Sequence, residues 1–462
     1  MAGCTFGDPK PLSMKILFAC DQKWRDLPSL VVIRYHLQLR GHRVFILPTK
    51  NFEALLPLIQ PDCVVLNAFW DRRYCRLAEQ LRAAGIAVAV LPTEGATPTH
   101  LWGPMVFGEF SDFSLIDYLM CWNHTTAEGI VEHGTMAREK IDVVGCPRMD
   151  FAVPPLVNSC RTRADVCAML GLDPARPIVT WASRFALAHI ENASAERKAA
   201  FYATLSEIGY TQCVERLGYK VEEHVLIYAV ALQKFVEAFI AVSRARPELQ
   251  FVFKPHPNDN VAAIREQLSN GGLADPKIAV GVYIGDTLRA TDVLVNSDCN
   301  TSIEAWIHGV PVVEAQLHHD YIASRPDIAA GNWKAETSDA VITLIDRALE
   351  FPSVSPEMKR VRADFIARWF GELDGRRGEQ VAISLNRFLA ARGGRRKFYP
   401  FAPSGGMKNA VKSGVTWMSG KRVRNPFRRG SQTARAAGVY DKVISRKDVI
   451  EMGERLKPYL VH

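Results

Sequence analysis

Between residues 14 and 91, short apolar runs alternate with helix-length segments, and this alternation constrains the fold more than anything else in the chain. Residues 14–20, 43–47, 63–68 and 86–91 read as strands. Between them 29–40, 52–59 and 72–84 read as helices, the first stopping at Gly41. Strands separated by helices of ten or so residues pair in parallel, so the expected fold is α/β with a doubly wound sheet.

The pattern continues with a strand at 118–122, a helix at 125–133 and a strand at 141–144 that runs into Gly145-Cys146-Pro147-Arg148-Met149-Asp150. Pro147 stops that strand, and Arg148 with Asp150 reads as fixing the exit from a first domain. Residues 153–173 form a connection with a small helix. A second series opens with a strand at 177–182, whose following loop carries Arg184, His189 and Asn192. Then come a helical region at 193–246 interrupted near Gly218, strands near 250, 278 and 293, and a closing strand at 310–313. Helices at 338–351 and within 355–391 complete this part.

The polar chemistry is densest in 249–314. An apolar run ends in Lys254-Pro255-His256-Pro257, and because proline cannot donate to a ladder, the strand stops there. This parks a histidine at a strand's carboxyl end, where open parallel sheets bind ligands. About forty residues later a strand runs into Ser297-Asp298-Cys299-Asn300-Thr301-Ser302, followed by a short helix and a stop at Gly309. Such a helix start offers free N–H groups and a positive dipole end, so His256 and the turn are expected to face one phosphate. Thr301 followed by Glu304 also reads as a capping box, and the two roles can coexist. In the first series, strand 86–91 ends in Pro92-Thr93-Glu94-Gly95-Ala96. Glu94 is the acid/base candidate, beside a glycine that lets a ligand or backbone come close; the alternative is a surface glutamate.

Lys254-Pro255-His256-Pro257, the Ser/Thr-rich turn, Glu304-Ala305 and Gly309-Val310-Pro311-Val312-Val313 together resemble the C-terminal half of GT-B glycosyltransferases of bacterial surface-polysaccharide biosynthesis. These include Kdo- and sialyltransferase-like enzymes and relatives that use CDP-glycerol. Thr93-Glu94-Gly95 is similar to the acidic-acidic-Gly motif of bacterial CMP-sialyltransferases, with Thr in place of the first acid. Gly-x-Pro-Arg-x-Asp at 145–150 and the Arg25-Asp26-Leu27 loop resemble those of surface-carbohydrate biosynthesis proteins. The resemblance covers roughly residues 14–391 and implies a GT-B fold, two Rossmann-like domains facing across a cleft. It implies an acceptor domain at 14–152, a nucleotide-sugar domain at 175–352 and crossover helices at 353–391. Donor contacts then fall on Lys254, His256, Ser297, Asn300, Thr301, Ser302 and Glu304, and catalysis on Glu94 and His256. Arg25, Asp26, Arg184, His189 and Asn192 become acceptor or cleft candidates. The implied reaction moves a sugar from a nucleotide-activated donor, CMP-Kdo first, to a surface glycan, with no metal or cofactor. Rival readings are a UDP-GlcNAc 2-epimerase-like enzyme, a CDP-glycerol-type transferase and a non-catalytic polysaccharide assembly factor.

The ten cysteines are scattered without a C-x-x-C pair, which points to reduced thiols and a cytoplasmic setting. His318-His319-Asp320 lacks the i, i+4 spacing of a helical metal pair. Residues 1–13 carry no basic n-region followed by an apolar stretch, and no run of eighteen apolar residues occurs, so neither a signal peptide nor a membrane span is expected. Net charge is +8, but residues 392–462 carry +13 and the remainder −5. In that tail basic groups alternate with Gly, Pro, Phe398, Tyr399, Phe401, Trp417, Met418 and Phe427. It has no core-forming pattern of its own. Its expected partner is an anionic membrane surface, on the inner face, rather than nucleic acid.

Overall fold

A computed structural model describes residues 13–49, 52–69, 72–96, 99–257, 259–318, 324–394, 397–400, 406–419 and 443–460. Twelve strands among them form two six-stranded sheets. The first contains β1 (Lys15–Cys20), β2 (Arg43–Pro48), β3 (Cys63–Leu66), β4 (Ala87–Val90), β5 (Tyr118–Cys121) and β6 (Ile141–Val143), in the order β2-β1-β3-β4-β5-β6. The second contains β7 (Ile178–Ala182), β8 (Gln250–Lys254), β9 (Lys277–Ile278), β10 (Val293–Asn296), β11 (Val312–Ala315) and β12 (Trp333–Ala335), in the order β12-β11-β10-β7-β8-β9. Every strand pair is parallel. From β7 the chain runs outward to β8 and β9, then returns to β10 on the other side. That reversal opens a crevice at the carboxyl ends of β7 and β10. The first sheet reverses in the same way around β1.

Helices cover both faces of each sheet, which is why the strands read as continuous apolar runs. Leu17 and Ala19 of β1 join one core with Phe52 and Val64, while Ile16 and Phe18 join the other with Leu27 and Ile33. In the second half Trp181, Phe235, Phe239 and Phe253 pack edge to face. Two of these rings come from the helix Val221–Ala245, which is long and apolar enough to cross a membrane but buries Tyr228, Phe235, Phe239 and Val242 against its own sheet. A further apolar seam joins Ala96, Trp122 and Met149 of the first half to Ile303, Trp306 and Val312 of the second, with Phe365, Trp369 and Phe370. The chain then crosses back: in the helix Arg377–Arg392, Val381, Leu385 and Leu389 bury in the core of the first half beside Leu27–Leu39. Its first turn is held by Asp150, whose carboxylate accepts the backbone N–H groups of Arg377 (3.0 Å) and Gly378 (2.7 Å).

Several expectations change. Segment 52–59 divides into a 3-10 turn, Phe52–Leu55, and a single α-turn, Leu56–Ile59, with Pro57 near its start. Region 193–246 is three helices, broken at Gly209 as well as at Gly218; both have φ of +82°, where a side chain is strained. A short edge strand, β12, follows the expected closing strand. The described parts of the tail, which have no core-forming pattern of their own, pack on the first domain. Lys397 N–H donates to the Ala84 carbonyl (2.7 Å), and the Gln60 side chain brackets Tyr399, donating to its carbonyl and accepting its N–H (2.9 Å each). The helix Arg446–Leu456 carries a Ser445–Asp448 capping box, and Ile444, Val449 and Leu456 bury in the first domain's core. Phe401, Phe427 and the basic stretch 421–429 lie outside the described residues, as do His319 and Asp320.

Candidate functional site

The carboxyl ends of the two sheets face each other around a cavity of about 330 Å³. The first half contributes Gln22, Trp24 and Arg25 after β1, Glu94 and Ala96 after β4, Trp122 after β5 and Arg148 after β6. The second contributes Ser183 and Arg184 after β7, Lys254 and His256 after β8, and Asp298, Cys299, Asn300, Thr301 and Glu304 from the turn and helix after β10, with Arg325 beyond β11. Five basic side chains therefore face three carboxylates. Burial pushes two of those carboxyls, Asp298 and Glu304, above their ordinary range and so toward the uncharged form. The cavity is built to receive negative charge.

On the first wall Arg25 is clamped. Its guanidinium donates to Asp26 (2.6 and 3.1 Å), Glu94 (3.2 Å) and the Thr93 hydroxyl (3.3 Å). Burial opposes its charge, but Asp26, Glu94 and Asp21 together outweigh that and hold it protonated. Glu94 keeps half of its side chain open, 54% exposed, at the cleft mouth. Gly95 has a different role from the expected one: a Cβ there would stand 2.5 Å from the Trp122 ring, so the close approach it permits is that of an indole.

Opposite it, His256 sits in a loop closed by Asp259, whose carboxylate accepts the His256 N–H (2.8 Å) and whose own N–H donates to the His256 carbonyl (2.9 Å). Burial, then Arg25, Arg184, Lys254 and His189, push the ring down to about 3. A neutral imidazole among cations is the state an anion would reverse, because an opposite charge nearby favours protonation.

The turn after β10 is held from below. Asp298 adopts φ +49°, unusual for a residue with a side chain. Its N–H donates to Glu314, its carboxylate accepts the Arg325 N–H (2.6 Å), and its carbonyl accepts from Arg184. Glu314 is fully buried and also accepts from Asn332 (2.8 Å); burial and the neighbouring Asp298 push its carboxyl up. Ser302 is buried too, accepting from Asn296 (2.8 Å) and Asn332 (3.0 Å). It braces the turn and does not line the cavity, contrary to its expected donor contact. Nor do Thr301 and Glu304 form a capping box: the helix Thr301–Ile307 starts without a side-chain cap. Its first N–H groups are not free, since Ser302 and Ile303 donate to the Cys299 and Asn300 carbonyls (3.0 Å each). Glu304 instead faces Arg148 across the cleft at 3.4 Å.

Of the sequence-derived candidates, Glu94, Arg25, Arg184, Lys254, His256, Asn300, Thr301 and Glu304 line one cavity. Asp26 stands behind Arg25, and Ser297 lies in the turn but outside the lining. His189 turns to the Ala186 carbonyl (2.9 Å), and Asn192 is exposed on the loop; neither lines the cavity. Sequence reasoning missed Trp24, Cys299 and Arg325, and read Arg148 as fixing the domain exit alone. Arg325, 3% exposed, donates to the Ala96 carbonyl (2.9 Å) and ties the two halves together. Position after a strand was a usable signal for Arg148 and Trp24.

No family model and no curated protein sequence matches the chain. Among solved structures it is similar to the UDP-GlcNAc 2-epimerase of Methanocaldococcus jannaschii in complex with UDP-GlcNAc and UDP (16% identity, 81% of this chain and 100% of that one, TM-score 0.50). It is also similar to the UDP-GlcNAc 2-epimerase of Neisseria meningitidis bound to UDP-GlcNAc (12%, 81% and 100%, TM-score 0.52). A third is the wall teichoic acid polymerase TagF with CDPG (11%, 81% and 88%, TM-score 0.50). The likeness is one of fold, and with the two parallel sheets it makes this a GT-B architecture of two Rossmann-like domains.

Proposed function

We propose that the chain is a GT-B glycosyltransferase that binds a nucleotide-activated sugar in the cleft and transfers the sugar to a surface-glycan acceptor, with CMP-Kdo the first donor to try. The observation that carries this reading is the electropositive cavity at the switch point, with a neutral histidine on one wall and an accessible carboxylate on the other. In the transfer, the acceptor oxygen bonds to the anomeric carbon and gives its proton to Glu94. The bond from that carbon to the phosphate oxygen breaks, and its electron pair stays on the phosphate. Lys254, Arg184 and His256 neutralise the charge that develops there. Arg25 keeps Glu94 aimed at the acceptor side.

A second reading is a UDP-GlcNAc 2-epimerase-like enzyme, favoured by the similarity to two such epimerases. A CDP-glycerol-type transferase is the corresponding reading from TagF with CDPG. Calorimetric titration with CMP, CDP, UDP and GDP separates these, and incubation with UDP-GlcNAc alone isolates the epimerase, which needs no acceptor. We expect one nucleotide to bind well ahead of the others. If none of the four binds, the enzymatic reading fails and a non-catalytic assembly role takes its place.

A further inference from the structure

The helix Gly406–Ser419 has two apolar faces where a surface helix needs one. Ala410, Gly414 and Trp417 share the inner face: Ala410 is fully buried, a Cβ at Gly414 would meet Leu55 at 3.7 Å, and Trp417 packs on the core of the first sheet. Met407, Val411, Val415 and Met418 recur at the three- and four-residue spacing of a second face and stay 65, 57, 48 and 53% exposed. Lys408 and Lys412 are exposed beside this stripe, and the helix contains no Asp or Glu. Phe398, just upstream, is 67% exposed. Single exposed apolar residues are ordinary, whereas a stripe along one helix marks a contact surface.

We infer that the outer face of this helix docks on an anionic lipid surface, with the Met/Val stripe at the acyl boundary and Lys408 and Lys412 at the headgroup phosphates. Charge complementarity selects this partner: Lys408 and Lys412 flank the stripe on a helix without a single acid, so two copies brought together through this face set like charges against each other, while an anionic surface attracts it. The inference does not depend on the reaction proposed above.

The test is flotation of the full-length protein with vesicles of phosphatidylglycerol and phosphatidylcholine, or of phosphatidylcholine alone, at low and high salt. Wild type is expected to float with the anionic vesicles at low salt and to be released by high salt. Lys408→Ala and Lys412→Ala should each weaken partitioning about five-fold. Val411→Ser/Val415→Ser should weaken it by roughly ten-fold or more, as should the independent pair Met407→Gln/Met418→Gln. All these positions are exposed, and an unchanged melting temperature verifies the fold. Flotation of both polar pairs like wild type overturns the inference, because attachment then resides elsewhere. A wild type that never floats overturns it too, as does a self-associating wild type made monomeric by the polar pairs, since a second copy then covers the stripe.

Discussion

His256 is where charge and geometry converge. Its ring is held near 3 by burial and by Arg25, Arg184 and Lys254. A phosphate placed among those groups raises the ring's pKa, so binding takes up a proton between the two values. Affinity for the preferred nucleotide should therefore fall as pH rises through the ligated value. A calorimetric pH series on wild type and His256→Ala separates the ring from the phosphate's own titration, and identical slopes in the two proteins would exclude the ring. His256→Ala should also lose about 1.5–3 kcal/mol of nucleotide affinity with its melting temperature unchanged. Glu94→Gln should retain nucleotide affinity and lose about 10²- to 10⁴-fold in turnover; near-normal turnover would reduce Glu94 to a surface partner of Arg25. Lys254, His256, Arg184 and Glu94 were legible because each lies within a few residues of a strand's carboxyl end, where a parallel sheet fixes position. Ser302 was misassigned because one step along a helix turns a side chain by about 100°, here into the core beside Asn296 and Asn332. Arg325 stands ten residues past the end of β11, too far from a strand's carboxyl end for anything local to mark it.

Among the elements, the turn after β10 shows what supports the site. Its backbone is set by Glu314 on β11, which carries a carboxyl inside a fully buried network. Burial and Asp298 raise that carboxyl from its ordinary value near 4.5 to about 8. A folded pKa above the unfolded one means that this contribution to stability is fully present below about 4.5 and is lost as pH rises through about 8. Glu314→Gln removes the titrating proton but keeps only one of the two acceptors used by the Asp298 N–H and Asn332, so it should be less stable throughout, yet lose less stability than wild type between mildly acidic and alkaline pH. Urea melts at several pH values measure this, and parallel pH profiles would place the titration elsewhere. Most elements could be read from apolar runs and glycine stops. The short edge strand β12 could not, because three residues carry too little periodicity. The tail helices were missed for a different reason: their inner apolar faces pack on the first domain, through Leu55 for one and the Leu27–Leu39 helix for the other.

At the scale of the whole molecule, two sheets built alike meet at one cleft, where polar contacts and an apolar seam join the halves. Arg148 and Glu304 face each other from opposite domains at 3.4 Å, with side chains 13% and 11% exposed. Removing one member of a buried pair strands the other charge and costs about 3–5 kcal/mol, whereas replacing both is often close to neutral. If the pair is mainly a clasp, Arg148→Met and Glu304→Gln should each destabilise, and the double variant should recover most of the loss. If Glu304 mainly serves the donor, Glu304→Gln should weaken nucleotide binding while stability changes little, because burial already pushes its carboxyl toward the neutral form that Gln imitates. Chemical denaturation and nucleotide titration on the same three variants distinguish the two. The geometry favours the clasp: the apolar seam of Trp122, Ile303 and Trp306 lies beside the pair, and Arg325 bonds to the Ala96 carbonyl across the same interface. A donor that engages Glu304 would then have to displace Arg148, and in Arg148→Met nucleotide affinity should rise as the fold weakens. Equal or lower affinity in that variant would show that Arg148 contacts the nucleotide itself.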